Sequence, residues 1–311
     1  MAYYIGVDIG GTNIKTGVVD SSGNILGESS VPTGADRHQE VVLLDILQTV
    51  KDSIADAKVD EREIKAVGVG SPGMIDYEKG IVIRNFNLNW ENFYIADLMS
   101  EALKVPVRLA NDADASALGE VVAGSAKGAK SAMIITLGTG VGSGYVINEK
   151  IFRGCEWGHM VIVHNGRKCT CGRNGCFEAY CSATGLINST KQAINEHPDG
   201  ILASIAKEEG VVSGHTIFDA ADKGDEISAK VIDEYISALA CGLVNLINGL
   251  QPEVVSIGGG IGKQGERLLV PLREKVYAEV FQGIPHPKIV SCTLGYKAGL
   301  IGAAMSVRDI C

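Results

Sequence analysis

Short apolar runs separated by glycines and turn residues open the chain. Residues 3–8 read as a strand, Gly10-Gly11-Thr12 as a turn and residues 14–20 as a second strand. Ser21-Ser22-Gly23-Asn24 reads as a hairpin turn, with a third strand from Ile25 onwards. Residues 39–57 then carry Val42, Ile46, Val50 and Ile54 at helical spacing. A buried strand over 66–69 runs into Gly70-Ser71-Pro72-Gly73. A helix over 93–103, a strand over 107–109 and a helix opening at Asn111-Asp112-Ala113 follow.

A similar series restarts near Ser131. Residues 132–137 form a strand ending in Gly138-Thr139-Gly140, and residues 144–147 form the next. Asn148-Glu149-Lys150 is a turn, and Ile151-Phe152 belongs to a third strand. Much later, a strand over 254–257 ends in Gly258-Gly259-Gly260, as the strand over 66–69 ends in Gly70. Two halves with the same opening predict an internal duplication and an α/β fold. Helical patterns fill the rest, over 227–250, 262–280 and, rich in small residues, 298–307.

Composition narrows the class. A length of 311 residues suits two domains. Hydrophobic residues at 46% and charged residues at 21% are those of a globular protein. Glycine is in excess, 39 residues with no Gly-X-Y period, so the surplus is expected in turns and ligand loops. A net charge of −9 without a basic run argues against a nucleic-acid partner. No apolar stretch nears the ~20 residues of a membrane helix, and residues 1–5 lack the marks of a secretory signal. A cytoplasmic protein is expected. Three of the eight cysteines, Cys169, Cys171 and Cys176, lie within eight residues, while Cys155, Cys181, Cys241, Cys292 and Cys311 are scattered. In such a compartment clustered cysteines suggest a metal rather than cross-links.

The candidate chemistry sits at the strand ends. Asp8-Ile9-Gly10-Gly11-Thr12-Asn13-Ile14-Lys15 offers backbone N–H groups to a phosphate, and Asp8 suits Mg2+ held through water. Dinucleotide and Walker loops do not fit, because a strand and not a helix follows the turn. Gly138-Thr139-Gly140 offers a second phosphate loop, and the pair suits gripping one nucleotide from two sides. Gly258, Gly259 and Gly260 suit either a flat adenosine or close packing. Asp112 suits a general base with Asn111 aligning a substrate, and both equally suit a helix N-cap.

His159 with Cys169, Cys171 and Cys176 is the strongest local signal. One imidazole and three thiolates make a closed tetrahedral zinc set, which is structural because no position is left for water. The bland alternative is three buried thiols beside an unrelated histidine. Glu156 and Glu178 flank the knot, which would bring both carboxylates near one point for sugar hydroxyls.

Together these residues resemble the ROK family of sugar kinases, a branch of the actin-like ATPase superfamily. The resemblance spans essentially the whole chain. Its most specific element is Glu156-Trp-Gly-His159 followed by Cys169-x-Cys171-Gly-x-x-Gly-Cys176-x-Glu178. Asp8-x-Gly-Gly-Thr, Gly70-Ser-Pro-Gly73 with Asp76, Asn87-Leu-x-Trp90, Asn111-Asp112-Ala113 and Leu137-Gly-Thr-Gly140 follow in family order.

The resemblance implies a two-lobed, duplicated ribonuclease H-like fold. A small lobe would cover residues 1–118 and a larger one, with the zinc loop, residues 119–297; a terminal helix over about 298–311 would pack back on the first. It also implies ATP, Mg2+ and structural Zn2+ as cofactors, a homodimer or dimer of dimers, and a place in carbohydrate metabolism such as glycolysis. Residue by residue, Asp112 matches the base that deprotonates a sugar 6-hydroxyl. Asn111, Glu156, His159 and Glu178 match holders of the other hydroxyls, and Gly73 and Asn87 lie in loops over the sugar. Gly10, Gly11, Thr12 and Lys15 match the first phosphate loop; Gly138, Thr139 and Gly140 match the second.

The segment continuing to Gly185 is similar to the glucokinase branch, so glucose is the expected substrate. N-acetylmannosamine or N-acetylglucosamine is the alternative, and a non-catalytic sugar-binding or regulatory protein a third. Repressors of the family carry a DNA-binding domain before the first strand, which here starts at Tyr3. One departure stands out: Gly154-Cys155-Glu156 is short where the family has a longer Gly- and Ala-rich loop.

Overall fold

The computed structural model describes residues 2–34, 36–85 and 88–310. Contacts divide the chain into two compact units. One consists of Met1–Met133, Gly144–Cys155 and Thr293–Cys311, the other of Ile134–Ser143 and Glu156–Cys292.

The first unit is built on five strands, β1 (Tyr3–Ile9), β2 (Asn13–Asp20), β3 (Ile25–Pro32), β4 (Ile64–Ser71) and, after the pieces below, β8 (Val107–Asn111). Their order is β3-β2-β1-β4-β8. The β1–β2 and β2–β3 pairs are antiparallel, as short hairpin connections require; β1–β4 and β4–β8 are parallel. Strand β4 is buried at seven of its eight residues, as expected of a parallel strand covered on both faces. Helix α1 (Gln39–Ala57) buries Val42, Ile46 and Val50 on one side of its axis.

A further small sheet, β5 (Met74–Asp76), β6 (Ile81–Asn85) and β7 (Trp90–Phe93), was not expected. Trp90 and Phe93 are both buried and meet edge to face at 5.1 Å. The expected helix from residue 93 therefore starts only at α2 (Ile95–Leu103).

Helix α3 (Asp112–Ala123) and the terminal helix α11 (Lys297–Met305) complete the first unit. A Cβ at Gly6 would overlap the carbonyl of Leu300, and one at Gly68 that of Ala303, so glycine in β1 and β4 lets α11 lie directly on the sheet. Helix α3 runs unbroken through residue 118. Beyond it, the buried Glu120 accepts backbone N–H bonds from Ser125 (2.8 Å), Thr293 (3.0 Å) and Leu294 (2.9 Å).

The second sheet contains β9 (Ser131–Leu137), β10 (Val141–Ile147), β11 (Lys150–Phe152), β12 (Val254–Gly258) and β13 (Lys288–Ser291). Its order, β11-β10-β9-β12-β13, repeats that of the first sheet strand for strand. β10–β11 is antiparallel and β12–β13 parallel, again matching. The duplication expected from the sequence is present, in a mixed α/β fold.

Helices α4 (Phe177–Cys181), α5 (Ala183–Glu196), α6 (Ile201–Glu209) and α7 (Thr216–Asp222) lead to the long α8 (Glu226–Leu250). Asp225 caps α8 by accepting the Ser228 N–H at 2.8 Å, and Tyr235, Ile236, Leu239, Leu243, Leu246 and Ile247 are buried along it. The helix expected over 262–280 is shorter. A single turn, α9 (Gly259–Gly262), precedes Gly265, whose φ of +58° interrupts the helix, and α10 (Glu266–Glu279) follows. Among the described residues, no helix is long and apolar enough to cross a membrane.

Candidate functional site

In the first unit, β1 carries a partly buried carboxyl, Asp8, one residue before its end, in register with Lys15 on β2. Strand β8 ends at Asn111, and α3 begins with Asp112. The two acids are near enough to repel. Burial first, then the charge of Asp112, raise Asp8 to about 6, against the opposing pull of Lys15. Two carboxyls that resist joint ionisation beside a lysine form a site suited to a bound dication or a shared proton.

Asn111 is a helix cap in fact. Its Oδ1 accepts the N–H of Ala113 at 2.9 Å and of Asp114 at 3.4 Å, which leaves its amide NH2 for a ligand. Asp112 Oδ1 also accepts the Ala113 N–H, at 2.9 Å. Capping uses the Asn111 oxygen and one Asp112 oxygen at the start of α3.

The turn after β1 is closed by the Gly10 N–H on the Asn13 carbonyl at 3.0 Å, and Gly11, Thr12 and Asn13 are exposed. Thr33 holds it from outside: its hydroxyl donates to the Gly10 carbonyl at 2.6 Å and its N–H to that of Thr12 at 2.8 Å. Nothing local in the sequence marks Thr33, which acts through β2–β3 pairing. Lys15 lies over the Tyr296 ring at 4.4 Å, a partner that nothing local in the sequence marks.

Gly73 has φ of +104°, and the neighbouring Pro72 carbonyl accepts the Asn85 amide at 2.9 Å. Asn87 lies outside the described residues. A buried acid, Asp114, accepts the Tyr77 hydroxyl at 3.1 Å behind the first turn of α3.

In the second unit, the turn Gly138-Thr139-Gly140 is tied down on several sides. The Ala183 N–H donates to the Gly138 carbonyl at 2.7 Å and the Thr184 hydroxyl to that of Thr139 at 2.8 Å. Glu178 Oε2 accepts the Val141 N–H at 3.0 Å, while Oε1 accepts the Thr170 hydroxyl at 3.2 Å. One carboxylate thus joins the phosphate-loop candidate to the cysteine loop. Glu156 is exposed, with no side-chain partner among the described residues. It lines a surface hollow with Trp157, His159, Arg173 and the end of α8. Its carboxylate is free where that of Glu178 is engaged.

The four expected ligands converge. Ligand atoms of His159, Cys169, Cys171 and Cys176 all lie within 4.8 Å of one another. His159 Nδ1 is 3.7 Å from the Cys169 sulfur, and the Cys171 and Cys176 sulfurs are 3.6 Å apart. The loop curls through Gly172 and Gly175 (φ +90° and +80°), and a Cβ at Gly175 would overlap the Val163 carbonyl. Burial, then the neighbouring sulfurs, push the Cys176 thiol up to about 12, whereas the Arg173 N–H lowers Cys171. Three sulfurs so close are poorly placed as bare thiolates and well placed around a thiophilic dication, so the donor set fits a four-coordinate metal.

The third glycine run is mostly packing. A Cβ at Gly258 would stand 2.9 Å from the Cys292 sulfur, and one at Gly259 would overlap the backbone of Leu137. Only Gly260 faces open space.

The ROK family model matches residues 4–310. A glucokinase of Halalkalibacterium halodurans is 33% identical, over 99% of this chain and 95% of its own length. The crystal structure of a ROK family glucokinase from Streptomyces griseus in complex with glucose and AMPPNP is similar at TM-score 0.77 and 33% identity, covering 97% of this chain and 98% of that one. A xylose repressor of Bacillus subtilis is 27% identical, over 99% of this chain and 77% of its own.

Proposed function

The chain belongs to the ROK family, and on that premise we propose that it is an ATP-dependent hexose kinase acting on the 6-hydroxyl of glucose. The observation that carries this reading is the pair Asp8 and Asp112, coupled in charge beside Lys15 at the ends of β1 and β8. The relatives named as glucokinases support it.

In this reading Asp112 takes the proton of the sugar hydroxyl as that oxygen bonds to the γ-phosphorus of ATP, and the bond from phosphorus to the bridging oxygen of ADP breaks. Asp8 would help to hold Mg2+, which would supply charge neutralisation for the transferred group. The N–H groups of Gly10, Gly11 and Thr12, with Lys15, face phosphate oxygens, and those of Gly138, Thr139 and Gly140 serve as the second loop. Gly260, with open space at its Cα, is left to meet adenosine, while Gly258 and Gly259 support its strand end.

Asn111 offers its free amide to the sugar. Glu156 and His159 take hydroxyls, with Gly73 in a loop over the ring. Glu178 contributes by fixing Val141 and Thr170, and only its remaining acceptor capacity is left for sugar. His159, Cys169, Cys171 and Cys176 would hold Zn2+, which would keep that loop in shape.

An ADP-release assay with Mg-ATP and glucose, mannose, fructose, N-acetylglucosamine and N-acetylmannosamine tests the proposal. The highest kcat/KM is expected with glucose. Release no faster with any of the five than without sugar would contradict kinase activity, and a preference for an N-acetyl sugar would reassign the substrate.

A further inference from the structure

A cavity of about 310 Å3 opens within the first unit, lined by none of the residues assigned above. Its walls include the Tyr77 ring, Leu118 and Met305, and most of its polar lining is charged. Two of its cations are neutralised: Arg108 pairs with Asp309 at 2.8 Å, and Arg308 pairs with Glu149. The other two, Lys150 and Arg153, have no carboxylate partner among the described residues. Arg153 instead lies over the Tyr77 ring at 4.8 Å. The pocket therefore carries a surplus of two positive charges in a chain whose net charge is −9.

We propose that this cavity binds a sugar-sized phosphomonoester, with Lys150 and Arg153 on the phosphate. A phosphate monoester carries close to two negative charges at neutral pH, which matches two unpaired cations; a monocarboxylate would leave one uncompensated. The volume is at the small end of ligand pockets and suits a metabolite of hexose size, with the Tyr77 ring and Leu118 as the apolar wall. The Tyr77 hydroxyl donates to Asp114, on the first turn of α3 two residues after Asp112. A ligand that draws Arg153 from the Tyr77 ring thus has a direct physical route to the turn carrying the proposed base.

Calorimetric titration with glucose 6-phosphate, without ATP, tests the site independently of turnover. The wild type is compared with a Lys150→Gln/Arg153→Gln double variant and with Arg153→Lys. Both side chains are exposed, so the variants are expected to fold, and neither has a part in the proposed transfer, so basal turnover should stay. One binding event should weaken about tenfold or more in the double variant and persist in Arg153→Lys. It should also weaken as pH falls below about 6, where the phosphate gains its second proton. Unchanged binding in the double variant would put the ester elsewhere, the phosphate loops included, and overturn the proposal. So would the absence of binding to the wild type at about 10 mM. An inactive protein that still shows this binding would contradict the kinase reading alone.

Discussion

Asp8 and Lys15 face each other in register across β1 and β2, yet the lysine does not set the state of the acid. Burial and the charge of Asp112 outweigh it, and Asp8 is held at about 6. A carboxyl raised in this way favours folding when protonated. Its contribution is complete below the ordinary value of 3.8 and is lost as pH rises through about 6. Asp8→Asn is therefore expected to raise thermal stability at pH 8, by on the order of 1–3 kcal/mol after allowance for partial exposure. The gain should shrink toward pH 4. Thermal melts of both proteins at the two pH values measure it, and a gain that does not depend on pH would contradict the assigned cause. The same variant is expected to lose turnover with Mg-ATP.

Glu120 makes a different prediction. Its buried carboxylate collects the N–H groups of Ser125, Thr293 and Leu294 and the Ser125 hydroxyl at 2.8 Å. Glu120→Ala leaves those donors unsatisfied and should cost about 3–5 kcal/mol. Glu120→Gln, which keeps the acceptor oxygen, should cost less. Denaturant melts compare them, and equal losses would show that packing volume and not hydrogen bonding is at stake.

The cysteine loop should bring metal with it. Elemental analysis of freshly purified protein is expected to give about one zinc per chain. Cys171→Ser should lower that content and weaken sugar binding more than ATP binding, since Thr170 and Glu178 depend on the loop. Metal-free protein with intact sugar affinity would remove zinc from the account.

The sequence was legible where a local rule decides the outcome. Alternation and glycine turns located both copies of the strand–turn–strand–hairpin–strand series, and helical spacing gave α1 its observed limits of Gln39 and Ala57. The spacing of His159, Cys169, Cys171 and Cys176 carried their convergence. What the sequence did not disclose depends on partners distant in the chain. Phe93 suits a helix by pattern, and only pairing with β6 makes it strand. Thr33 acts on a turn more than twenty residues earlier, and Glu178 is occupied by Val141 because of how α4 is placed. The run Gly258-Gly259-Gly260 shows the same limit. Composition cannot tell which glycines are pressed against Leu137 and Cys292 and which one is open.

Removal of a proton from a sugar hydroxyl by Asp112 is the central step of the proposed transfer. Phosphorus-31 NMR of the purified protein with Mg-ATP and glucose, beside Asp112→Asn, measures this directly. The wild type is expected to form ADP and a phosphate ester on the 6-oxygen. Asp112→Asn, which retains the shape of the side chain and a cap oxygen, should slow ester formation by ~10²–10⁴-fold, with sugar affinity within a few-fold of wild type. A wild type that forms no ester, or an Asn variant that forms it at a near-normal rate, would contradict the assignment.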